Sequence, residues 1–166
     1  MPRLLRRPPR IKYLEAAGAL ADGRVEILGG GSGGPLRARV TSSTGDRVYH
    51  VVLVLEDGSA RAYSSDNGTR LRGYVGYPIL ALLMLAGRLP RDPAIEEALK
   101  GIPWKRLNEK YKKYDLVIEE VKRIAESRGV AGERLEEFMR RASRSLSGIR
   151  VYYDEALGRG SLTNYF

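Results

Sequence analysis

The segment Trp104-Lys105-Arg106-Leu107-Asn108-Glu109-Lys110-Tyr111-Lys112-Lys113-Tyr114 carries the densest set of groups able to meet a polyanion. At 100° per residue, Trp104, Leu107, Tyr111 and Tyr114 fall within one sector of about 80°, an apolar stripe suited to a core. Lys105, Arg106, Lys110, Lys112 and Lys113 lie broadly opposite, with Glu109 the one acid among them. Such a face contacts phosphates and releases the counterions condensed on nucleic acid. The plain alternative is a solvated helix face, which most charge runs are. The leading residues add Arg3, Arg6, Arg7 and Arg10 among Pro2, Pro8 and Pro9. Residues 1–10 therefore read as a flexible basic arm that lies along a phosphate backbone and orders on contact.

A second cluster is Arg70-Leu-Arg72-Gly73-Tyr74-Val75-Gly76-Tyr77-Pro78. Arg70, Arg72, Tyr74 and Tyr77 put cations and rings beside open backbone, the chemistry that holds unstacked bases. The stretch resembles the strand signature of the RNA-recognition motif over six residues. Val75 stands where that signature has Gly or Ala, and no residue role is carried over. The alternative is a structural corner in which the tyrosines cap a buried helix.

Other motifs are formal matches only. Gly29-x-Gly31-x-x-Gly34 spells a dinucleotide fingerprint, but that site needs a helix to follow, and Pro35 with an alternating strand follows instead. A P-loop would need Lys-Ser/Thr after Gly34. Gly30-x-Ser32-x-Gly34 has nucleophile-elbow spacing, with Asp46 and His50 behind it, yet the chain is too short for the large parallel sheet such an elbow requires. The glycine run reads as a loop between strands, and His50 as a strand residue. Glu56, Asp57, Asp66, Asp154 and Glu155 leave a small carboxylate or metal-dependent enzyme as an outside reading. No metal-ligand set and no cofactor fingerprint stands out.

Composition narrows the classes. The chain has 166 residues, 29 Lys+Arg against 20 Asp+Glu, no Cys and one His. Absent cysteine excludes disulfide scaffolds, thiolate metal sites and thiol nucleophiles. A single His excludes sites needing two imidazoles. The net charge of +9 favours anionic partners. The excess falls in residues 1–50 and 101–150, around a balanced centre. The longest apolar run, Ile79 to Ala86, is far short of the roughly 20 residues that span a bilayer. The basic N-terminus lacks a signal core. These features predict a cytoplasmic protein with no membrane partner. Arg outnumbers Lys 22 to 7 and Gln is absent. That bias, with abundant charge, predicts a thermophilic protein.

The elements that must position these residues are an N-terminal helix, a sheet and a helical half. Leu14, Ala17 and Ala21 give a helix over 11–21 that stops at Asp22-Gly23. Residues 24–28, 36–42, 47–55 and 60–64 read as strands, with Asp57-Gly58 as a hairpin turn. Asn67-Gly68 reads as a second turn leading to a strand over 69–72. Ile79 to Ala86 is apolar on every side and predicts a buried helix. Asp92-Pro93 caps the next helix, and Gly101-x-Pro103 separates it from the tryptophan-led helix. The stripe carries on through Ile118 and Val121, and the pattern leaves open whether Asp115 interrupts that helix. Leu135 to Leu146 forms another, and residues 149–153 a last strand.

The fold class is thus α+β: an N-terminal helix and an antiparallel β-meander of three to five strands, followed by a C-terminal helical half packed on it. The domain plan is a basic flexible arm over 1–10, one domain over 11–153 (β-rich 24–72, helical 75–148) and a loose tail over 154–166. The expected function is non-catalytic nucleic-acid binding, with RNA or a ribonucleoprotein preferred over duplex DNA. A protein-interaction module whose basic face meets an acidic partner is the alternative.

Overall fold

The computed structural model describes residues 2–30 and 34–164, with side chains as far as Arg159. The glycine-loop residues Gly31, Ser32 and Gly33, part of all three formal motifs, lie outside the described residues. Among the described residues six strands and eight helices make an α+β molecule: β1 Arg3–Leu4, α1 Ile11–Ala21, β2 Val25–Gly29, β3 Leu36–Thr41, β4 Val48–Glu56, β5 Ser59–Ser64, α2 Asn67–Arg70, α3 Tyr77–Leu85, α4 Pro93–Ala98, α5 Trp104–Tyr111, α6 Tyr114–Ser127, α7 Gly132–Ser147, β6 Arg150–Tyr153 and α8 Glu155–Asn164. The strands form one sheet in the order β1-β6-β5-β4-β3-β2.

Strands β2 to β5 are the antiparallel meander that alternation and turn residues dictate. Gly58 takes φ +70° in the two-residue turn between β4 and β5, a left-handed conformation that costs glycine nothing. Ala38, Val40, Val51, Leu53, Ala60 and Ala62 share one face by register and are at most 1% exposed. Helix α3 lies on that face, its residues Pro78 to Met84 all buried. Helix α1 packs on α3, and α4, α6 and α7 pack in turn on α1, so the continuous core runs sheet, α3, α1, outer helices. Asp92 caps α4 through the amides of Ala94 and Ile95 at 3.0 and 3.3 Å.

Four local expectations are corrected. The leading segment is built into the body. Arg3–Leu4 pairs antiparallel with β6, Leu5 is buried, and Arg6 exchanges backbone bonds with Gly73 and Val75. Burying Leu5 and pairing three amides outweighs the chain freedom that its prolines and arginines suggested. The expected strand over 69–72 is the short helix α2, because the Asp66 carboxylate accepts from the Thr69 amide and caps a helical turn there. The tryptophan-led helix is broken: Lys112 adopts φ +60°, so α5 ends at Tyr111 and α6 restarts at Tyr114. Residues of the expected loose tail form α8, with Gly158 against the ring of Tyr63. The last strand, β6, joins the sheet parallel to β5, after a crossover through every helix from α2 to α7. Among the described residues no helix is long and apolar enough to cross a membrane.

Candidate functional site

A cleft of about 420 Å³ opens where α1, α5, the turn between β3 and β4, and the start of α2 come together. One wall is the contact of α1 with α5. Helix α1 is apolar except for Lys12 and Glu15, three residues apart and hence on one side. Lys12 Nζ donates to both Glu15 carboxylate oxygens at 3.2 and 3.3 Å, with the two side chains 13% and 5% exposed. Asn108 Nδ2 donates to the same carboxylate at 3.3 Å. Burial, the largest single influence, would lower the Lys12 pKa, but the Glu15 charge and hydrogen bond together with the Tyr74 and Tyr114 phenols outweigh it and hold the value above the ordinary one. The Lys12 ammonium also stands 5.2 Å from the Tyr114 ring centre, within cation–π range.

Helix α5 presents Trp104 and Asn108 one turn apart to this wall. The Trp104 indole packs on Gly18 of α1, where a side chain would strike it. Trp104 Nε1 and Asn108 Oδ1 are buried with no hydrogen-bond partner among the described residues. Unpaired buried polar atoms are costly, and they collect where a structure serves something besides its own stability.

The opposite lip is the turn over 42–47. Asp46 accepts from Ser42 Oγ at 3.0 Å and from the Thr44 hydroxyl, and Lys105 Nζ stands 3.5 Å from its other oxygen. The Thr44 and Ser42 hydroxyls, then Lys105, pull the Asp46 pKa down to about 2. Ser43 Oγ accepts from the Lys105 amide at 3.2 Å, so the turn also grips the first turn of α5. Arg47, exposed, continues the lip.

The floor belongs to the segment 66–77. Buried Asp66 holds the Ser64 hydroxyl and the Thr69 amide, and Thr69 Oγ1 takes the Gly76 amide at 3.1 Å. Gly76 fits so closely against Asp66 and Thr69 that no side chain is tolerated there. This knot carries Tyr74 and Tyr77 to the cleft. Tyr77 meets Tyr49 edge-on, with ring centres 6.2 Å apart. Burial raises the pKa of both Tyr74 and Tyr77, so both are neutral phenols at physiological pH.

The residues singled out by sequence divide into three groups. Arg72, Tyr74, Tyr77 and Lys105 line the cleft together, although they come from segments some thirty residues apart. Arg106, Lys110, Lys112 and Lys113 are exposed on the outer side of α5 and the α5–α6 corner, Lys110 lying 5.2 Å from the Tyr111 ring centre. The arm arginines stay on the body. Arg3 donates to the Arg70 carbonyl and covers the Tyr153 ring, Arg6 to the Arg72 carbonyl, and Arg7 to Ser143 Oγ. Arg10 pairs with Glu136 at 2.6 Å and reaches Asp115 at 4.0 Å. Arg70 is exposed beside Arg3 and does not line the cleft. His50, on β4, pairs with Arg39 of β3 and is not among the cleft residues, and burial and then Arg39 lower its pKa.

Sequence reading missed Lys12, Glu15, Arg47, Tyr49 and Asn108. The signal for the first two was present: two charges three apart in an otherwise apolar helix, on the side that the core claims. Among the described residues no three His, Asp or Glu side chains gather as a metal site would require. A family profile described as Uncharacterised conserved protein UCP014422 matches residues 5–152, a span that includes every side chain of the cleft. No curated protein and no solved structure matches the chain.

Proposed function

The chain belongs to the family described as Uncharacterised conserved protein UCP014422, and we propose that it is a non-catalytic nucleic-acid-binding protein of the cytoplasm, preferring RNA or a ribonucleoprotein to duplex DNA. The observation that carries this reading is the meeting of Arg72, Tyr74 and Tyr77 with Lys105 at one cleft. A base needs a ring or an apolar edge, and its phosphate needs a cation within a few ångströms. The cleft offers both.

The polymer lies with one unstacked nucleotide at the cleft and its neighbours along α5. Among the described residues no acidic side chain pairs with Arg47 or Arg72 at the cleft, nor with the exposed Arg106, Lys112 and Lys113. These are the groups that neutralise phosphates. A cleft lined by tyrosines accepts a splayed base and excludes a stacked pair, which favours single strands. The net charge of +9 steers any polyanion toward the molecule.

The arm arginines contribute less than their number suggests. Arg7 and Arg10 hold the N-terminal segment to α7, so the phosphate-contacting set is centred on α5 and the cleft. No cofactor enters this reading.

The test is fluorescence anisotropy of labelled single-stranded RNA, single-stranded DNA and duplex DNA across a salt series. Affinity is expected to fall linearly on a double-logarithmic plot, with about 0.7 of a counterion lost per contacted phosphate of a single strand. The triple variant Arg106→Glu, Lys110→Glu, Lys113→Glu is expected to weaken binding uniformly across sequences. Salt-insensitive binding, or none to any of the three polymers at low salt, overturns the proposal. Retention of an acidic protein after nuclease treatment would instead favour a protein partner for the basic face.

A further inference from the structure

We infer that the cleft binds a free mononucleotide, with the phosphate taking the position on the 42–47 turn that the Asp46 carboxylate holds. The inference shares the cleft with the reading above and rests on it only for nucleotides being the ligand class.

Asp46 is an exposed side chain, yet it is surrounded like a bound anion. Two hydroxyls, Ser42 and Thr44, donate to one oxygen and the Lys105 ammonium faces the other. Arg47 follows directly in sequence, and the Lys105 amide is tied to Ser43. Donors converging on one carboxylate are the chemistry of phosphate recognition as well, since both ligands are oxyanions that accept charge-assisted bonds. The strong depression of the Asp46 pKa reports the same thing in energetic terms: this spot favours negative charge.

The carboxylate is an internal competitor for that position. It sits on a surface turn, exposed, so rotation about its own side-chain bonds frees Lys105 and the two hydroxyls for an incoming anion that replaces those bonds. A phosphate monoester brings up to two negative charges and three acceptor oxygens, against one charge and two oxygens for Asp46. It can take Lys105, Ser42 and Arg47 together. The base then falls among Tyr49, Tyr74, Tyr77 and Tyr114, with the Lys12–Glu15–Asn108 group at its polar edge. A volume of about 420 Å³ suits one such ligand, since pockets for small molecules run from about 300 to 1,000 Å³.

Trp104 is the single tryptophan of the chain and stands in the cleft wall, so its emission reports occupancy directly. The experiment titrates AMP, UMP, adenosine and inorganic phosphate into the wild type, Asp46→Asn and Lys105→Met. Asp46→Asn keeps an oxygen for the two hydroxyls while removing the competing charge. AMP and UMP are expected to change the emission saturably. Asp46→Asn should tighten both by about two- to fivefold, the worth of an exposed ion pair released. Lys105→Met should weaken them by about tenfold or more, the loss of a charge-assisted bond. Adenosine and phosphate should each bind more weakly than AMP. No saturable change with AMP or UMP in the wild type and in Asp46→Asn overturns the inference. So does Asp46→Asn binding more weakly than wild type with an unchanged melting curve, or phosphate alone binding as tightly as AMP. Mononucleotide binding without any oligonucleotide binding leaves the inference standing and removes the proposed function, and the reverse result does the opposite.

Discussion

A methyl group added at Gly18 would meet Trp104 Nε1 at 2.6 Å, closer than real side chains approach. The cleft wall depends on that vacancy, because α5, a helix of eight residues, meets α1 through Trp104 on Gly18 and Asn108 on Glu15. Gly18→Ala gains up to about 1 kcal/mol of helix propensity in α1. It also forces a tightly packed indole outward, which costs about 1–3 kcal/mol. The expected net is a loss of about 1 kcal/mol in a denaturant titration, with a red shift of tryptophan emission. A more stable protein with unshifted emission would show that the seat has room.

The Lys12–Glu15 pair is expected to cost stability. Removing one partner by Glu15→Leu or Lys12→Met leaves a buried charge alone and should destabilise by about 3–5 kcal/mol. Replacing both together should be neutral or stabilising by about 1–4 kcal/mol. A double-mutant cycle measured by urea unfolding decides it. The pair also has an alkaline signature. The Lys12 pKa is raised in the folded state, so its stabilisation is complete below the ordinary lysine value near 10.5 and disappears as pH rises through the folded value. The double variant should lose that alkaline decline.

Acid should act through the depressed carboxylates Asp46 and Asp92. Burial by itself would raise Asp92, but the Arg134 fork and the Ile95 and Ala94 amides outweigh it. Both groups have folded values below the ordinary 3.8, so their contribution is fully present above that pH and is lost as pH falls through the folded value, to about 2 for Asp46. Asp46→Asn should flatten the melting-temperature curve between about pH 4 and 2. Asp92→Ala should do the same and cost about 0.5–2 kcal/mol near neutrality through the lost cap. An unchanged acid limb in both variants would place the acid sensitivity elsewhere.

Lys112 offers a test in which stability and binding move in opposite directions. It is the only non-glycine residue with positive φ among the described residues, and that conformation costs a lysine about 1 kcal/mol more than a glycine. Lys112→Gly should therefore raise the melting temperature. The same change removes an exposed cation from the α5–α6 corner and should weaken single-stranded RNA binding about threefold while reducing the salt slope by somewhat under one unit. A purely structural role for Lys112 predicts the first effect without the second.

The charge-rich, Arg-biased composition without Gln carries one further expectation: a melting temperature well above the roughly 45–65 °C of ordinary domains. A differential scanning measurement in the ordinary range would count against the composition argument.

Several elements were legible because their signals are local. Apolar alternation located β2 and β3, a Val- and Leu-rich run located β4, and the Asp57-Gly58 turn placed β5 as its returning partner. Asp92-Pro93 capped α4 as read, and the all-round apolar run from Ile79 became the buried helix α3. The misreadings share a cause. Asn67-Gly68 suggested a hairpin, but the Asp66 carboxylate binds the Thr69 amide and selects a helical turn. Thr69 then spends its hydroxyl on Gly76, a partner seven residues on that no local pattern predicts. The arginines of residues 1–10 looked free because Ser143, Glu136 and the carbonyls of Arg70 and Arg72 lie 66 to 136 residues away.

What the order of residues determined alone was the class, the meander, the helix faces and the charge excess, since propensity, periodicity, capping and composition act over a few neighbours. Which cations stay open to a ligand was decided only by the fold. Ion pairing and burial depend on distance in space: they bind Arg7 and Arg10 to α7, set Glu15 against Asn108, and bring Arg72 and Lys105 to one cleft.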